Sequence, residues 1–368
     1  MTQNPLLGLN RIGQSVWFDN IHRGMLPDEL RDLCERDGLS GVTSNPAIFR
    51  QAIGSGDAYD SAIAKLIAQG ESNPELIYEQ LATSDIRAAA DVLYHVYQRN
   101  AGTDGFVSIE VSPHLADDLN GTIKEAKRLY EVIDRPNVMI KVPATTAGIA
   151  ATEELTAAGI SVNVTLLFSL ERCRQAAQAY IRGLCRRLER GEQLNCLASV
   201  ASLFISRIDA KVDARLEQLS SANIKLQGQA AIANARCAYT IYRELFASEE
   251  FATLRQAGAN PQRLLWASTG VKGDKYPEVY YIEALAGPGT VTTIPPATYA
   301  AYRNKGEPAA RLLDGIDAAP DQLRDIRDAG VELDDILAEL ARQGVEAFVE
   351  AYDSLLQDLS YKLETFDK

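Results

Sequence analysis

A short apolar run that ends in polar residues occurs eight times along the chain, and helical sequence separates most of these runs. The runs cover residues 16–20, 41–45, 106–110, 137–143, 160–165, 197–202, 264–268 and 290–294. Between them, apolar residues recur at spacings of three and four, as in 169–190, where Ser169 is a suitable N-cap. Eight strands that alternate with helices predict an α/β fold, the closed parallel (β/α)₈ or TIM barrel.

Polar residues stand at or near the end of most of the predicted strands. In a (β/α)₈ barrel, reactive side chains lie at the carboxyl ends of the strands, and the fold gathers them around one mouth. The residues in question are Asp19, Asn45, Glu110, Lys141, Asn163, Thr165, Ser202 and Ser268. We therefore expect one active site, built from several strands.

Lys141 lies inside the apolar run 137–143, which otherwise reads as a strand buried on both faces. Desolvation destabilises an ammonium in an apolar site and favours the neutral amine, which attacks carbonyl carbons and forms Schiff bases. The alternative is that Lys141 ends an ordinary strand and extends its ammonium into water. Taken alone, the residue favours this second interpretation, because lysine is rarely fully buried.

Helical sequence exceeds what a simple crossover needs at two places. After the second strand, helical patterns cover 57–69, 74–81 and 84–99, and a second extended helical region covers 205–256 between strands six and seven. Helical sequence also runs from Asp321 to the C-terminus. Its last helix carries an apolar stripe of Val345, Phe348, Val349, Tyr352, Leu355, Leu356, Leu359 and Leu363. We expect this stripe to cover either the barrel flank or a partner subunit.

The composition is typical of a large water-soluble enzyme. The 368 residues are 46% apolar, and no Pro-, Gly- or Ser-rich linker divides them, so we predict one domain over 1–368. No apolar stretch approaches the ~20 residues of a membrane span, and residues 1–5 do not resemble a secretory signal. The cysteines Cys34, Cys173, Cys185, Cys196 and Cys237 are widely spaced and read as reduced core residues. A cytoplasmic location follows from these features.

The net charge of −13 argues against nucleic acid as a partner, because phosphate neutralisation needs a basic face. A phosphorylated metabolite remains compatible with a locally basic pocket. Metal chemistry is poorly supported, since His22, His95 and His114 form no HxxxH pair and the cysteines form no CxxC pair. We expect no metal.

Several segments together resemble one enzyme family. The signature segments are residues 17–21 (WFDNI), 41–46 (GVTSNP), 107–112 (VSIEVS), 138–145 (VMIKVPAT), 163–169 (NVTLLFS) and 206–209 (SRID). In this order they look like those of transaldolase, over roughly residues 11–300. Transaldolases are (β/α)₈ class I aldolases whose Schiff-base lysine lies on the fourth strand, where Lys141 lies here. The long insertions are similar to those of the long single-chain transaldolases rather than to the compact fructose 6-phosphate aldolases.

The resemblance implies catalytic roles for four residues. Lys141 matches the lysine that forms the imine with the C2 carbonyl of a ketose phosphate. Glu110 matches the carboxylate that moves protons through a bound water, and Thr165 the residue that helps to hold that water. Asp19 matches the general base for the C4 hydroxyl. For the two carboxylates, the alternative role is ion pairing at the rim of the barrel.

Other residues match groups that hold the substrate. Asn45 and Asn163 are expected to hydrogen-bond the hydroxyls of the three-carbon dihydroxyacetone unit, with Thr43 and Ser202 in the same pocket.

Arg207 matches the family's phosphate-binding arginine; viewed alone, it is equally compatible with an ion pair on a helix surface. The segment 268–272 (STGVK) departs from the Ser-Phe-Arg pattern of well-known bacterial transaldolases. Ser268 is matched, but the second arginine is missing, and Lys272 is the candidate for the replacement charge.

The leading hypothesis is transfer of dihydroxyacetone between sugar phosphates, without a dissociable cofactor, by a monomer or homodimer. Two alternatives are a fructose 6-phosphate aldolase-like lyase, which releases free dihydroxyacetone, and a catalytically silent barrel used for binding. Glu110 weighs against the lyase, whose family carries a tyrosine as the proton-relay group. The retained lysine and carboxylates weigh against the silent barrel.

Overall fold

The computed structural model describes residues 4–366 and contains a closed barrel of eight parallel strands in sequential order. This confirms the predicted (β/α)₈ fold. Residues 1–3 and 367–368 lie outside the described residues. The single-domain prediction covers all of them, and the prediction that the chain starts without a secretory signal covers residues 1–3. The strands are β1 (Ser15–Phe18), β2 (Gly41–Thr43), β3 (Phe106–Glu110), β4 (Val138–Pro143), β5 (Val162–Leu167), β6 (Ser199–Phe204), β7 (Arg263–Ala267) and β8 (Val291–Ile294).

Helices surround the barrel and extend beyond it. The α-helices are α1 (Pro5–Ile12), α2 (Asp28–Asp37), α3 (Pro46–Gly54), α4 (Asp60–Ala68), α5 (Pro74–Arg99), α6 (Leu119–Ile133), α7 (Thr146–Ala157), α8 (Leu170–Glu189), α9 (Ser206–Leu219), α10 (Ala230–Ala247), α11 (Glu249–Gln256), α12 (Tyr280–Ala284), α13 (Pro296–Lys305), α14 (Ala319–Asp328) and α15 (Leu333–Phe366). Short 3₁₀ helices occupy Arg23–Met25, Pro113–Leu115, Ser221–Leu226 and Ile316–Ala318.

The central strands are buried at every position, as β4, β5 and β6 show. Parallel barrel strands contact the interior on one face and the helical layer on the other, so both faces exclude water. This is why their sequences read as continuous apolar runs. The predicted bounds of two strands are two residues too early: β5 ends at Leu167 rather than 165, and β6 begins at Ser199 rather than 197.

The insertion after β2 is confirmed as α3, α4 and α5, but the two predicted helices 74–81 and 84–99 form the single helix α5. Ala82 and Thr83, at the predicted break, are buried within it. The Thr83 hydroxyl donates a hydrogen bond to the Glu79 carbonyl 2.7 Å away, one turn earlier. That bond satisfies the hydroxyl inside the helix, so the chain continues without a turn. The insertion after β6 is also confirmed, as α9, α10 and α11.

The C-terminal helix α15 contacts α3, α5, α9, the 3₁₀ helix Pro113–Leu115 and β5. Its stripe therefore packs against helices of the same chain, where Phe348, Tyr352, Leu355 and Leu359 are buried. A Cβ atom at Gly344 would lie 2.9 Å from a methyl carbon of Leu166, near the end of β5, so the helix backbone approaches this strand closely. The helix lies across the carboxyl-terminal mouth of the barrel.

Candidate active site

Lys141 projects from β4 into the mouth of the barrel and is 5% exposed. Its Nζ donates a hydrogen bond to the Ser44 carbonyl at 2.9 Å and lies 3.6 Å from Glu110 Oε2. The ring of Phe348, on α15, lies 5.8 Å from the same nitrogen. The amine is therefore enclosed on several sides and has no carboxylate within hydrogen-bonding distance among the described residues.

Glu110 stands beside Lys141 because β3 and β4 pair in parallel with these two residues in register. Its side chain is 6% exposed, and neither carboxylate oxygen has a hydrogen-bond partner among the described residues. Burial raises the pKa of Glu110 to about 7, while the neighbouring Lys141 opposes the rise. Glu110 can therefore gain or lose a proton near neutral pH. The hydroxyl of Thr165 is likewise buried and unpartnered within the described part of the chain.

Asp19 follows β1 directly and accepts a hydrogen bond from the Thr43 hydroxyl at 2.7 Å. The Thr43 oxygen also lies 2.7 Å from the hydroxyl oxygen of Thr293 on β8. Burial raises the pKa of Asp19, and the Thr43 hydrogen bond and the charge of Lys141 oppose the rise. One carboxylate oxygen is thus held by Thr43, while the group remains close enough to Lys141 to respond to its charge.

Asn163 does not line the cavity at the mouth. It lies in register with Lys141 on β5 and is fully buried, two residues deeper along the strand than Thr165. Its amide nitrogen donates to the Ser108 hydroxyl at 3.1 Å, and its carbonyl oxygen accepts from the Ser202 hydroxyl at 2.7 Å. Asn163 therefore holds the Ser202 hydroxyl from a deeper position in the barrel.

One cavity of about 200 Å³ collects the predicted site residues at the mouth, except Glu110 and Asn163. The predicted residues that line it are Asp19, Thr43, Asn45, Lys141, Thr165, Ser202, Arg207, Ser268 and Lys272. Asn45 has a second task, since its side-chain oxygen caps α3 by accepting from the Ile48 amide at 3.0 Å. The cavity is a polar pocket of a size that suits a small metabolite.

Arg207 and Lys272 form the basic end of this cavity. Arg207 stands in the first turn of α9, and its guanidinium lies 5.4 Å from the ring of Phe204. Burial lowers the pKa of the Arg207 guanidinium. Neither side chain forms a hydrogen bond or ion pair with any residue of the described range 4–366. Ser268 closes this end: its hydroxyl lies 3.0 Å from that of Ser206.

Sequence reasoning did not assign several of the residues found here. Phe348 was recognised as part of an apolar stripe but not as a wall of the cavity, which it lines together with Phe204 and Thr293. The Ser44 carbonyl, which binds Lys141, was also missed. The Thr-Ser-Asn-Pro turn after β2 was the one available signal for Ser44, because its backbone lies at a strand end.

The other titratable groups considered from the sequence lie elsewhere. His114 Nε2 lies 2.7 Å from an Asp353 oxygen, and His95 Nδ1 lies 2.8 Å from the Val92 carbonyl oxygen within α5. Not all cysteines are core residues: Cys34 and Cys173 are buried, Cys185 and Cys237 are partly buried, and Cys196 is exposed. Cys196 lies in a turn before β6, because that strand begins later than predicted.

A lysine and two carboxylates at the carboxyl-terminal mouth of a closed parallel barrel define a (β/α)₈ enzyme site. The model of the transaldolase/fructose-6-phosphate aldolase family matches residues 16–359, and the chain belongs to this family. The resemblance seen in the signature segments is thereby confirmed.

Relatives that match over nearly their full length are named transaldolase. A protein of Thiobacillus denitrificans named transaldolase is 44% identical over 353 residues, which cover 95% of this chain and 98% of the relative. Transaldolases of Thermobifida fusca and Mycolicibacterium smegmatis are 43% and 42% identical, and at least 98% of each chain is covered. In the described part of the chain, no helix is both long and apolar enough to cross a membrane.

Proposed function

We propose that this enzyme is a transaldolase that moves a dihydroxyacetone unit between sugar phosphates through a Schiff base on Lys141. The reaction is sedoheptulose 7-phosphate plus glyceraldehyde 3-phosphate to erythrose 4-phosphate plus fructose 6-phosphate, in the non-oxidative pentose phosphate pathway. The observation that carries the proposal is the enclosed Lys141 amine, 3.6 Å from the Glu110 carboxylate in a cavity that Asp19 also lines.

The first step is addition of the neutral Lys141 amine to the C2 carbonyl of the donor ketose, which gives a carbinolamine. Loss of water then leaves an iminium. When the C3–C4 bond breaks, its electron pair moves into the iminium and forms an enamine, and the aldehyde product leaves. The enamine carbon then attacks the aldehyde of the acceptor, and water hydrolyses the new iminium. The Ser44 carbonyl suits this chemistry because it orients the amine without supplying a second negative charge.

Glu110 is assigned the proton transfers of carbinolamine dehydration and imine hydrolysis. Its unpartnered buried oxygens and the unpartnered Thr165 hydroxyl support a water-mediated relay, since buried polar groups without protein partners are commonly satisfied by a bound water, which would also carry the proton. A pKa of about 7 allows Glu110 to give and accept protons in turn. Thr165 is assigned the binding of this water.

Asp19 is assigned the C4 hydroxyl proton, which it removes as the C3–C4 bond breaks and returns when the new bond forms. Its hydrogen bond from Thr43 fixes one oxygen and leaves the other for substrate. A pKa raised by burial makes the carboxylate a stronger base than one in water.

The three-carbon unit is held by polar groups around Lys141. Asn45 and Ser202 line the cavity, and each offers a hydrogen-bonding group to a substrate hydroxyl. Thr43 is assigned to the same pocket. Asn163 orients the Ser202 hydroxyl through their 2.7 Å hydrogen bond, and its own contact with substrate is through that serine. Retention of the unit as a covalent enamine distinguishes transfer from cleavage.

The phosphate site is assigned to Arg207, Lys272 and Ser268. Two cationic side chains without partners in the described structure, at one end of the cavity that holds Lys141, favour a dianionic group. Arg207 lies in the first turn of α9, where the helix dipole also favours an anion. This arrangement disfavours the alternative of a surface ion pair for Arg207.

Borohydride trapping tests the proposal. After incubation with fructose 6-phosphate and reduction, peptide mass mapping should locate a reduced three-carbon unit on Lys141 alone. Lys141→Arg should abolish turnover and labelling, because a guanidinium stays protonated and cannot form the imine. Lys124→Arg, at an exposed position on α6, is the matched control and should keep both.

An unlabelled Lys141 in active enzyme, or activity abolished by EDTA, would contradict the Schiff-base mechanism. Product analysis with an acceptor aldehyde distinguishes the transferase from a fructose 6-phosphate aldolase-like lyase: the transferase forms a new sugar phosphate, whereas the lyase releases dihydroxyacetone. A silent barrel would give neither product and no label.

The broader expectations for the protein belong to the same proposal. We infer a single domain that acts in the cytoplasm as a monomer or homodimer, without a dissociable cofactor and without a nucleic-acid partner. The net charge of −13 supports the last point, and five free cysteines support a reducing compartment.

A further inference from the structure

The loop between β7 and α12, residues 268–279, carries Lys272 and is fastened to α9 at its far end. The Tyr276 hydroxyl donates a hydrogen bond to Asp213 Oδ2 at 2.5 Å. Lys275 Nζ lies 3.8 Å from the same oxygen and 2.7 Å from Glu217 Oε1. Three contacts therefore join this loop to one face of one helix.

Asp213 is 4% exposed, and both of its carboxylate oxygens are engaged. Oδ1 accepts the Gly228 amide at 2.9 Å, while Oδ2 binds Tyr276. The carboxylate thus links the loop to α9 and to the segment that leads into α10. A buried carboxylate is stable only where such donors compensate its lost hydration, so the geometry of Asp213 is strongly determined.

A second set of contacts holds the partners of Asp213 in place. The Tyr280 hydroxyl donates to the Gly228 carbonyl at 3.0 Å, and the rings of Tyr276 and Tyr280 stack with centroids 5.1 Å apart. One turn earlier on α9, buried Asp209 accepts from the Tyr281 hydroxyl at 3.1 Å and from the Ala231 amide at 2.7 Å. The loop and the start of α12 therefore cannot move away from α9 without breaking hydrogen bonds to Asp209 and Asp213.

The same helix carries Arg207, which faces the cavity of Lys141 from its first turn. Lys272 lines that cavity and also a neighbouring hollow whose wall includes Ala210 and Asp213 of α9. The two cations thus lie on a helix and on a loop that is bound to that helix. Asp213 follows Arg207 by six positions on α9, a rise of about 9 Å, so the helix fixes the distance between one cation and the anchor of the other.

We propose that Asp213 and Tyr276 are positioning residues that hold Lys272 opposite Arg207 and thereby select phosphorylated ketoses. This inference rests on the proposed function and deepens it. Neither residue touches substrate. Their contribution is to keep the Lys272 ammonium at a fixed place, so that a phosphate group gains a charge-assisted contact without ordering the loop when it binds.

The test is substrate selectivity in Tyr276→Phe and Asp213→Asn, with Tyr239→Phe as the control. Tyr239 is a partly buried tyrosine on α10 whose hydroxyl donates to the Pro288 carbonyl, away from the site. In Tyr276→Phe, kcat/KM for fructose 6-phosphate should fall about three- to tenfold. The loss for fructose, which lacks the phosphate, should be at most a third as large, and the inhibition constant of inorganic phosphate should rise. Tyr239→Phe should show none of these changes.

A Lys272→Ala background completes the experiment, since residues that act through Lys272 should lose their effect when it is absent. Lys272→Ala alone should lower kcat/KM for fructose 6-phosphate about tenfold or more. Adding Tyr276→Phe to it should cause little further loss. Equal losses for both ketoses, an unchanged inhibition constant for phosphate, or a full Tyr276→Phe effect without Lys272 would each overturn the inference.

Borohydride labelling keeps this inference separate from the function on which it rests. If fructose 6-phosphate labels Lys141 while selectivity does not change in the variants, only the positioning role fails. If Lys141 is not labelled in the wild-type enzyme, the proposed function fails. Should Asp213→Asn not fold, Tyr276→Phe alone decides the outcome, because it removes one hydroxyl and leaves both oxygens of Asp213 in place.

Discussion

Lys141 and Glu110 form a buried ion pair that is longer than a hydrogen bond, with 3.6 Å between nitrogen and oxygen. The Schiff-base chemistry proposed above needs an amine nitrogen that can reach a carbonyl carbon. At this separation, and with the Ser44 carbonyl as the nearer partner, the amine is positioned without being tied to the carboxylate.

The two carboxylates at the site should fail in different ways when they are removed. Glu110→Ala should slow imine formation and hydrolysis, whereas Asp19→Ala should allow the imine but block cleavage of the C3–C4 bond. Single-turnover borohydride trapping with fructose 6-phosphate separates them: Asp19→Ala should retain the intact six-carbon adduct on Lys141, and Glu110→Ala should give slow labelling. The same trapping defect in both variants would show that the roles are wrongly assigned.

Glu110 should also make stability depend on pH. Burial raises its pKa from 4.5 to about 7, so between these values the folded protein binds a proton that the unfolded chain has released. The stabilising contribution is complete below pH 4.5 and is lost as pH rises through 7. Glu110→Gln, which is neutral throughout, should therefore gain in unfolding free energy relative to wild type between pH 5 and pH 8.

Urea unfolding at several pH values measures this difference. Glu131→Gln is the matched control, because Glu131 is exposed on α6 and forms no ion pair with any described residue. A difference between Glu110→Gln and wild type that stays constant with pH would mean that the Glu110 carboxyl titrates alike in folded and unfolded protein.

At the scale of elements, the sequence predicts strands better than it predicts what covers them. Apolar runs that end in polar residues locate all eight strands to within two residues, because burial on both faces leaves a local signature. The apolar stripe of α15 shows that one face is buried but not which surface it meets, since that contact joins residues far apart in sequence. Phe348 was therefore placed correctly on a helix and missed as part of the site.

The depth at which a strand residue lies in the barrel is the second thing that sequence does not reveal. Asn163 and Thr165 lie two residues apart on β5, yet only Thr165 lines the cavity. The tilt and stagger of the barrel decide how deep each layer of side chains lies, and these depend on the whole ring of strands. The register of neighbouring strands also depends on the whole ring. It places Glu110 of β3 beside Lys141 of β4.

Phe348 on α15 should affect the fate of the enamine. Its ring lies 5.8 Å from the Lys141 nitrogen and forms part of the cavity wall, so we expect it to exclude water from the proposed covalent intermediate. Phe348→Ala should raise the ratio of free dihydroxyacetone to transfer product when fructose 6-phosphate and an acceptor aldehyde are supplied together. Loss of a buried phenyl ring also destabilises the fold by about 3–5 kcal/mol, so Phe348→Leu is the milder companion variant.

The control for this element is Tyr352→Phe, one turn further along α15. Its hydroxyl donates to Glu75 at 2.9 Å, and the residue does not line the cavity at the mouth. A product ratio that rises equally in Tyr352→Phe would attribute the effect to a displaced helix. A ratio unchanged in both Phe348 variants would show that the ring does not protect the intermediate.

For the whole molecule, the site depends on a ring that has no free edge. β1 pairs with β8 as well as with β2, so the first and last strands close the barrel. Asp19 follows β1 at this closure. Thr43 on β2 and Thr293 on β8 lie on either side of β1 and contact each other through their hydroxyls. An opening of the ring at this seam would move Asp19 relative to Lys141, so the proposed catalytic geometry depends on a closed barrel.

If the chain is one domain, the barrel and the helix over its mouth should unfold together. Its two tryptophans, Trp17 on β1 and Trp266 on β7, are both fully buried in the barrel, whereas far-UV circular dichroism is dominated by helices such as α15. In urea, tryptophan fluorescence and circular dichroism should therefore give coincident transitions with one midpoint. Trp266→Phe, which leaves Trp17 as the only tryptophan, should preserve the coincidence even if the midpoint moves. An earlier transition by circular dichroism would show instead that helices such as α15 form a separately unfolding unit. Activity should then disappear with that first transition, because α15 carries part of the cavity wall.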